Sequence, residues 1–185
     1  VRGCGRGVGV KSHAHGTATH KRWNGTGVKL VQLTDCPDGD EISLTVSPGR
    51  KTGFTLKLRI PAWSRETALF VNGQPTACPA GRYVDISREW APGDKVQLKL
   101  DMRGRAVPAP SGAPQFAVMR GPILLALDNR LAKSQDVAVR LVTDQDGYVV
   151  LQPSAAKPGG IWLAFDVPFE VRPTHFFNHH RIALA

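Results

Sequence analysis

Apolar and polar residues alternate in short runs along the chain, most clearly between residues 54 and 101. In the run 54–60 every second residue is apolar, and 95–101 repeats the pattern. Successive side chains of a β-strand point to opposite faces, so both runs predict strands with one buried and one solvent-facing side. Between them, Asn72-Gly73 predicts a tight hairpin, because both residue types tolerate positive φ.

The same pattern predicts further strands, most of them bounded by turn-forming residues: 28–34, 41–46, 68–71, 83–87, 116–119, 123–127, 137–141, 148–151 and 161–167. The run 123–127 is apolar at successive positions, which predicts burial on both faces. The Pro-rich stretch 107–114 predicts an extended crossing between sheets. There is no helical period and no internal repeat. We therefore expect an all-β fold, an antiparallel β-sandwich with Greek-key or jelly-roll-like connections.

Three regions differ in composition. Residues 1–26 are rich in Gly and basic side chains without any period, and they predict a disordered or extended leader. Residues 27–128 carry the sandwich pattern. Residues 129–185 are β-rich but hold few strands for an independent core, so this segment either completes the sandwich or is a truncated second one.

The formal net charge of +9 is concentrated at the start of the chain. The first 26 residues contain five basic and no acidic side chains, which leaves +4 for the rest. A solvated tail is typical of such a leader, and we do not expect nucleic-acid binding from a mildly basic folded part.

Targeting signals are missing from the printed sequence. No run approaches the roughly 20 apolar residues of a membrane helix, so no membrane contact is expected. There is no charged-then-apolar leader, and the localisation stays open. Because the chain has no initiating Met, we expect it to be a fragment of a longer protein.

Candidate metal ligands are present but poorly spaced. Cys4, Cys36 and Cys78 form no CxxC pair, so buried or half-buried thiols are expected rather than a zinc or redox site. For His13, His15 and His20 the spacing favours a structural or accidental cluster over a metal site. For His175, His179 and His180 it favours an aromatic-lined polar patch or an interface with another domain. The aspartates lack the frame of a calcium loop and predict Asx-type turns instead: Asp35, Asp38, Asp40, Asp144 and Asp146. No metal site is predicted.

Tryptophans and carboxylates raise two hypotheses about sugars. The tryptophans are Trp23, Trp63, Trp90 and Trp162. Trp63 and Trp90 follow strands, so they either stack against a carbohydrate or fill the ends of the sandwich. Glycoside hydrolysis needs two carboxyl groups about 5–9 Å apart. Nothing predicts that Glu41, Asp85 and Asp101 converge, so no catalytic residue is assigned.

Four short runs occur in a characteristic order: LRIPAW at 58–63, VNG at 71–73, REW followed by GD at 88–94, and MRGP at 119–122. In that order and at these intervals they resemble the β-sandwich that follows the catalytic barrel in glycoside hydrolase family 127. Bacterial β-L-arabinofuranosidases typify that family. The resemblance covers about 27–128, and more loosely 162–168 and 172–174. The leader does not resemble the family.

The resemblance implies a division of labour. In the family, retaining hydrolysis uses a cysteine nucleophile on zinc, and all the ligands belong to an (α/α)6 barrel whose motifs this chain lacks. We therefore expect no cofactor here and no activity from the chain alone. The first hypothesis is a non-catalytic accessory sandwich that braces the catalytic barrel, its partner domain, and contributes homodimer contacts. The parent enzyme would act on β-L-arabinofuranosides or related plant glycans. The alternative is an independent carbohydrate-binding module that uses Trp63 or Trp90.

Overall fold

The structure is a computed structural model that describes residues 2–4, 7–11, 15–21, 27–109, 116–127, 130, 139–155, 159–171 and 179–184. In these ranges every regular element is a β-strand, which confirms the predicted all-β class. None of the described residues forms a helix with the length and hydrophobicity needed to cross a bilayer. The chain divides into two compact units, Val1–Met102 (unit 1) and Arg103–Ala185 (unit 2).

In its described residues unit 1 contains ten strands: β1 Arg2–Cys4, β2 Gly7–Val10, β3 Gly16–Lys21, β4 Gly27–Thr34, β5 Glu41–Pro48, β6 Thr52–Arg59, β7 Ala68–Val71, β8 Gln74–Thr76, β9 Tyr83–Trp90 and β10 Asp94–Lys99. Unit 2 contains seven in the described residues: β11 Gly104–Pro108, β12 Phe116–Arg120, β13 Ile123–Leu125, β14 Val139–Leu141, β15 Gln152–Pro153, β16 Phe165–Val171 and β17 His179–Leu184.

The larger sheet of unit 1 has six strands in the order β3-β4-β5-β10-β7-β8, all antiparallel. Its strands follow the predicted alternation. In β5, for example, Ile42, Leu44 and Val46 are buried and the residues between them are more exposed. The predicted hairpin joins β7 to β8, and Asn72 and Gly73 have φ of 50° and 79°. Positive φ at both positions is what a two-residue hairpin turn requires.

The second sheet of unit 1 has the order β1-β2-β6-β9. Its strand β2 runs parallel to β6, and Val8 and Val10 are fully or almost fully buried. The described part of residues 1–26 therefore forms three strands, and one of them, β2, contributes Val8 and Val10 to the core. These strands are extended, which is one of the two forms expected for this segment. Their burial is hard to recognise in a short Gly-rich sequence, because the partner strand of β2 lies more than forty residues later.

The two sheets of unit 1 enclose one apolar core. Strands of both sheets contribute, from Val8 and Leu56 in the smaller sheet to Leu44 and Val96 in the larger one. Trp90 is the largest side chain that is fully buried. This arrangement of two sheets over a shared core is the predicted sandwich.

Unit 2 is built from a three-stranded sheet, β11-β12-β13, and a second sheet in which β14, β15 and β17 all pair with β16. Since β12 and β13 belong to this unit, the boundary lies after Met102 and not after residue 128. The first two residues of the Pro-rich stretch, 107–108, belong to β11, and its residues 110–114 lie outside the described residues. Leu124 is 59% exposed while Leu125 is buried, so 123–125 is covered on one face only, contrary to the prediction.

Candidate functional site

Trp90 lies at the centre of the unit 1 core. Its side chain is 0% exposed, and its indole Nε1 donates to the carbonyl oxygen of Phe54 at 3.0 Å. The Phe54 ring packs against it at 5.6 Å between ring centroids, and the Arg88 guanidinium lies 5.3 Å from the Trp90 ring. A ring enclosed in this way offers no face to a sugar. Trp90 is a core residue.

The other tryptophans are spread over the molecule. Trp63 is half-buried and packs against the unit 1 core, as expected for a side chain that closes the end of a sandwich. Trp162 is 55% exposed in unit 2, and Trp23 lies outside the described residues. The predicted pair Trp63 and Trp90 therefore does not form an exposed aromatic platform.

No metal centre is formed by the residues that the structure describes, where no group of three or more His, Cys, Asp or Glu side chains is placed to hold an ion. His13 and His175 lie outside those residues. Of the remaining histidines, His20 belongs to β3 and pairs with Val28, and His179 and His180 belong to β17.

Two of the aspartates begin turns, and one of these, Asp144, makes the predicted Asx-type bonds. The backbone N–H groups of Asp38 and Gly39 both donate to the Asp35 carbonyl oxygen. In unit 2, the Asp144 carboxylate oxygen Oδ1 accepts from the N–H groups of Asp146 and Tyr148, at 3.0 and 2.8 Å. The Asp144 bonds are the Asx-type bonds by which an aspartate side chain stabilises a chain reversal, whereas the turn at Asp35 is closed by its backbone carbonyl.

The three carboxylates considered for catalysis do not share a cleft. Glu41 is exposed on the outer side of the six-stranded sheet, whereas Asp85 is exposed on the outer side of the four-stranded sheet and pairs with Lys57. Asp101 is buried beside the Ser64 hydroxyl, which accepts from the Asp101 backbone N–H at 2.8 Å. The sandwich core separates Glu41 from Asp85, so these groups offer no acid–base pair.

Cys36 and Cys78 are each half-buried and pack against the unit 1 core, as the sequence predicts. The Cys78 thiol donates to the carbonyl oxygen of Thr67 at 3.0 Å. Burial raises the pKa of this thiol above its ordinary value, because desolvation disfavours the thiolate. A raised pKa is the opposite of what a nucleophilic cysteine requires.

The outer face of the six-stranded sheet contains a groove of about 550 Å³, which we call the unit 1 groove. Its lining includes Leu33, Glu41, Ser43, Phe70, Gln97 and Lys99. The strand register places four of these directly opposite one another: Leu33 faces Ser43, Ser43 faces Gln97, and Gln97 faces Phe70. Side chains of opposite residues lie about 5 Å apart on one face of a sheet. The four therefore form a continuous row across β4, β5, β10 and β7.

The sequence contains only a weak signal for this groove. Leu33 and Phe70 are apolar residues at outward-facing positions of their strands, where alternation predicts polar ones. They are 52% and 37% exposed. The departures are visible in the sequence, but the row itself depends on the register of four strands and cannot be read from any one of them.

A second groove, the unit 2 groove, has a volume of about 320 Å³ and a lining that is almost entirely apolar. Phe116, Leu124, Leu127, Val139, Leu141 and Phe169 are among its residues. Strands β12, β13, β14 and β16 of unit 2, together with residues 126–127, supply the lining residues. Leu124 and Leu127 are 59% and 38% exposed, so the groove presents uncovered apolar surface.

Solved structures of similar fold include two enzymes of glycoside hydrolase family 127. The chain matches a GH127 β-L-arabinofuranosidase from Geobacillus stearothermophilus T6 at a TM-score of 0.73 and 21% identity, over 99% of this chain and 31% of that one. A second GH127 β-arabinofuranosidase matches at a TM-score of 0.73 and 20% identity, over 97% and 31%. A further structure described as a glycoside hydrolase matches at 0.64 and 22%, over 91% and 30%. The chain thus spans less than a third of the length of each.

At these identities the structural matches establish the fold. None of the curated protein sequences matches the chain. The family model described as "Beta-L-arabinofuranosidase, GH127 middle domain" matches residues 10–102, which is half of the chain and coincides with unit 1 from the end of β2 onward. The chain belongs to glycoside hydrolase family 127, and its residues 10–102 are the middle domain of that family.

Proposed function

We propose that this chain is the non-catalytic accessory region of a longer family 127 glycoside hydrolase, and that it braces the catalytic barrel of that enzyme. The observation that carries the proposal is the extent of the matches. Almost the whole chain corresponds to 31% of a GH127 β-L-arabinofuranosidase, and the matching family model is that of a middle domain. The parent enzyme would hydrolyse β-L-arabinofuranosides, as the name of that relative states.

The apolar surface of unit 2 supports a bracing role. Of the large apolar side chains that are exposed in the described residues, five belong to unit 2: Val107, Phe116, Leu124, Leu127 and Trp162. Three of these line the unit 2 groove. Contiguous apolar surface on a soluble domain is typical of a site covered by another protein surface. We assign the unit 2 groove to contact with the catalytic barrel.

The first test is activity. The purified chain should release no arabinose from a β-L-arabinofuranoside, whereas the full-length protein that contains it should do so. Reducing-sugar release under identical conditions measures both. Turnover by the chain alone would overturn the non-catalytic assignment, as would a reading frame that encodes this chain and no barrel.

The second test is the contact with the barrel. In the full-length protein, Leu124→Glu should lower the unfolding temperature of the barrel by several degrees, because it places a carboxylate against an apolar contact surface. Leu33→Glu is a matched control, since Leu33 is a comparably exposed leucine on a strand of unit 1. It should leave that temperature within about 1 °C of the original.

Calorimetry of the full-length protein reports both variants, and the isolated chain carrying Leu124→Glu serves as the folding control. If Leu124→Glu leaves the barrel transition unchanged, or if Leu33→Glu lowers it equally, the unit 2 groove is not the bracing surface.

A further inference from the structure

The unit 1 groove differs in chemistry from the apolar groove assigned to the barrel. We propose that it is a carbohydrate-binding site that takes a short neutral oligosaccharide. The site consists of the row Leu33, Ser43, Gln97 and Phe70 with charged residues beside it. It is separate from Trp63 and Trp90, and it does not depend on the bracing role.

The middle of the row supplies hydrogen-bonding groups that suit hydroxyls. Ser43 offers a hydroxyl that donates and accepts, and Gln97 offers both an amide NH₂ and a carbonyl oxygen. These two residues are direct partners across β5 and β10, so their side chains leave the sheet side by side. Sugar hydroxyls also both donate and accept, and neighbouring hydroxyls on one ring match such a pair.

The ends of the row supply apolar surface. Phe70 and Leu33 flank the polar pair, at 37% and 52% exposure. The face of an aromatic ring carries partial negative charge and attracts the weakly positive C–H groups on the apolar face of a sugar. Tyr83 is the one other large apolar or aromatic side chain exposed among the described residues of unit 1. Two of three such residues therefore lie in this groove.

The charge of the groove argues against an anionic ligand. Asp35 and Glu41 line it together with a single base, Lys99, whose Nζ lies 3.8 Å from the Asp40 carboxylate. The formal balance of these three lining residues is −1, in a chain whose net charge is +9. A phosphate or nucleic acid would favour one of the basic surfaces instead. A neutral polyol gains from the carboxylates, which accept hydrogen bonds from its hydroxyls.

The dimensions and rigidity of the site suit a short chain of sugars. From Leu33 to Phe70 the row crosses three strand spacings, about 14 Å at the usual spacing of a sheet. The strands β4, β5, β10 and β7 are fixed in position, because each is hydrogen-bonded to a neighbouring strand on both sides. A site built on paired strands is already ordered before the ligand arrives, which lowers the entropic cost of binding.

A protein partner fits this groove less well. A stable protein interface buries roughly 800 Å² on each side and has an apolar centre. Here the apolar residues stand at the two ends, and polar side chains occupy the middle. That order is typical of a surface that binds a small polar ligand across its width.

The test is titration of the whole chain with short arabino-oligosaccharides, with xylo- and cello-oligosaccharides compared at equal length. Calorimetry should give a dissociation constant on the order of 1 mM or tighter for at least one series. The backbone amide signals of β4, β5, β10 and β7 should shift in NMR spectra on saturation. A sulfated oligosaccharide of the same length should bind more weakly at this groove.

Three variants locate the site. Phe70→Ala should raise the dissociation constant about fivefold to tenfold, and Phe70→Leu about threefold, because leucine keeps apolar surface but has no ring face. Gln97→Ala should raise it about threefold to tenfold through lost hydrogen bonds. Tyr83→Ala is the matched control, since Tyr83 is an exposed aromatic residue on the outer face of the other sheet, and it should change nothing. Circular dichroism of each variant establishes folding.

Several outcomes would overturn the proposal. One is the absence of heat and of amide shifts with all three neutral series. Another is binding that survives Phe70→Ala, or that Tyr83→Ala removes equally well. A third is concentration-dependent self-association that Phe70→Ala abolishes, which would identify the groove as a contact between copies. The bracing proposal would stand in each case, since it concerns unit 2.

Discussion

The two units differ in how much apolar surface they bury and how much they leave exposed. In the described residues, the core of unit 1 contains twenty buried apolar residues from both of its sheets, whereas the main cluster of unit 2 contains five. Unit 2 nevertheless exposes more large apolar side chains than unit 1. In the described residues, unit 1 therefore buries enough apolar side chains for a sandwich core of its own, whereas unit 2 has a small core and leaves more of its large apolar side chains exposed.

The two grooves extend this difference to function. Polar residues fill the middle of the unit 1 groove, and the unit 2 groove is apolar throughout. A polar middle favours a ligand rich in hydroxyls, while an apolar lining favours permanent coverage by protein. The chain thus offers two surfaces of different chemistry, and each can be altered without the other.

The largest expected difference between the two units is the loss of stability when a tryptophan of each is replaced by alanine. Trp90→Ala should lower the free energy of unfolding of unit 1 by about 4 kcal/mol, because it opens a cavity and removes the bond to the Phe54 carbonyl. Trp162→Ala removes a ring that is 55% exposed and should cost less than about 1 kcal/mol in unit 2. Urea unfolding followed by circular dichroism measures both.

These variants also test whether the units unfold separately. Two transitions are expected, and Trp90→Ala should shift only the one that belongs to unit 1. A single transition that moves with either variant would contradict the division of the chain into two units of different stability.

The next largest expected effect comes from replacing Gly104 by alanine, and this time it is unit 2 that should lose stability. A Cβ atom on Gly104 would lie 2.5 Å from the carbonyl oxygen of Val149 and 2.7 Å from Cγ of Leu151. The Val149 N–H donates to the Gly104 carbonyl at 2.8 Å, so this approach is part of the pairing in unit 2. Gly104→Ala should therefore destabilise unit 2 by about 1–3 kcal/mol, since one strand must move away.

Gly53→Ala in unit 1 is the control, because a Cβ there would meet no atom within 4 Å and the backbone φ is not in the left-handed region. It should be neutral or slightly stabilising. Thermal unfolding of both variants provides the measurement. If the two variants change the unfolding temperature equally, the close approach of the strands at Gly104 does not contribute to the stability of unit 2.

The sequence predicts the middle of unit 1 well because its information there is local. Ile42, Leu44 and Val46 alternate with polar residues, and Asn72-Gly73 requires positive φ wherever it lies. The all-β class and the strands of 27–100 follow from such patterns. No CxxC pair is present, so the sequence predicts that the thiols pack in or against the core instead of binding a metal, and Cys36 and Cys78 do so.

What the sequence does not predict depends on partners that are distant along the chain. Val8 and Val10 are buried because β2 pairs with β6, more than forty residues later. The boundary after Met102 depends on the pairing of β12 with β11, and the outward face of Leu124 on the packing of unit 2. The unit 1 groove exists only once four strands are in register. Local alternation contains none of this information.

The smallest expected effect is a change in the rate at which a cysteine is chemically modified. All three cysteines of the chain belong to unit 1, so this rate reports on unit 1. Burial raises the pKa of the Cys78 thiol, so below that pKa a smaller fraction is thiolate than in a free cysteine. At about pH 8 iodoacetamide should therefore modify Cys78 several-fold more slowly than a cysteine peptide, and the difference should narrow as the pH rises. Peptide mapping by mass spectrometry resolves the rate at each cysteine.

The same rate reports on the independence of the two units. Trp90→Ala should accelerate modification of Cys78, because loosening the unit 1 core exposes the thiol. Gly104→Ala acts within unit 2 and should leave the rate unchanged. If Gly104→Ala accelerates modification of Cys78, the stability of unit 1 depends on unit 2. That result would contradict the proposal that unit 1 is stable by itself.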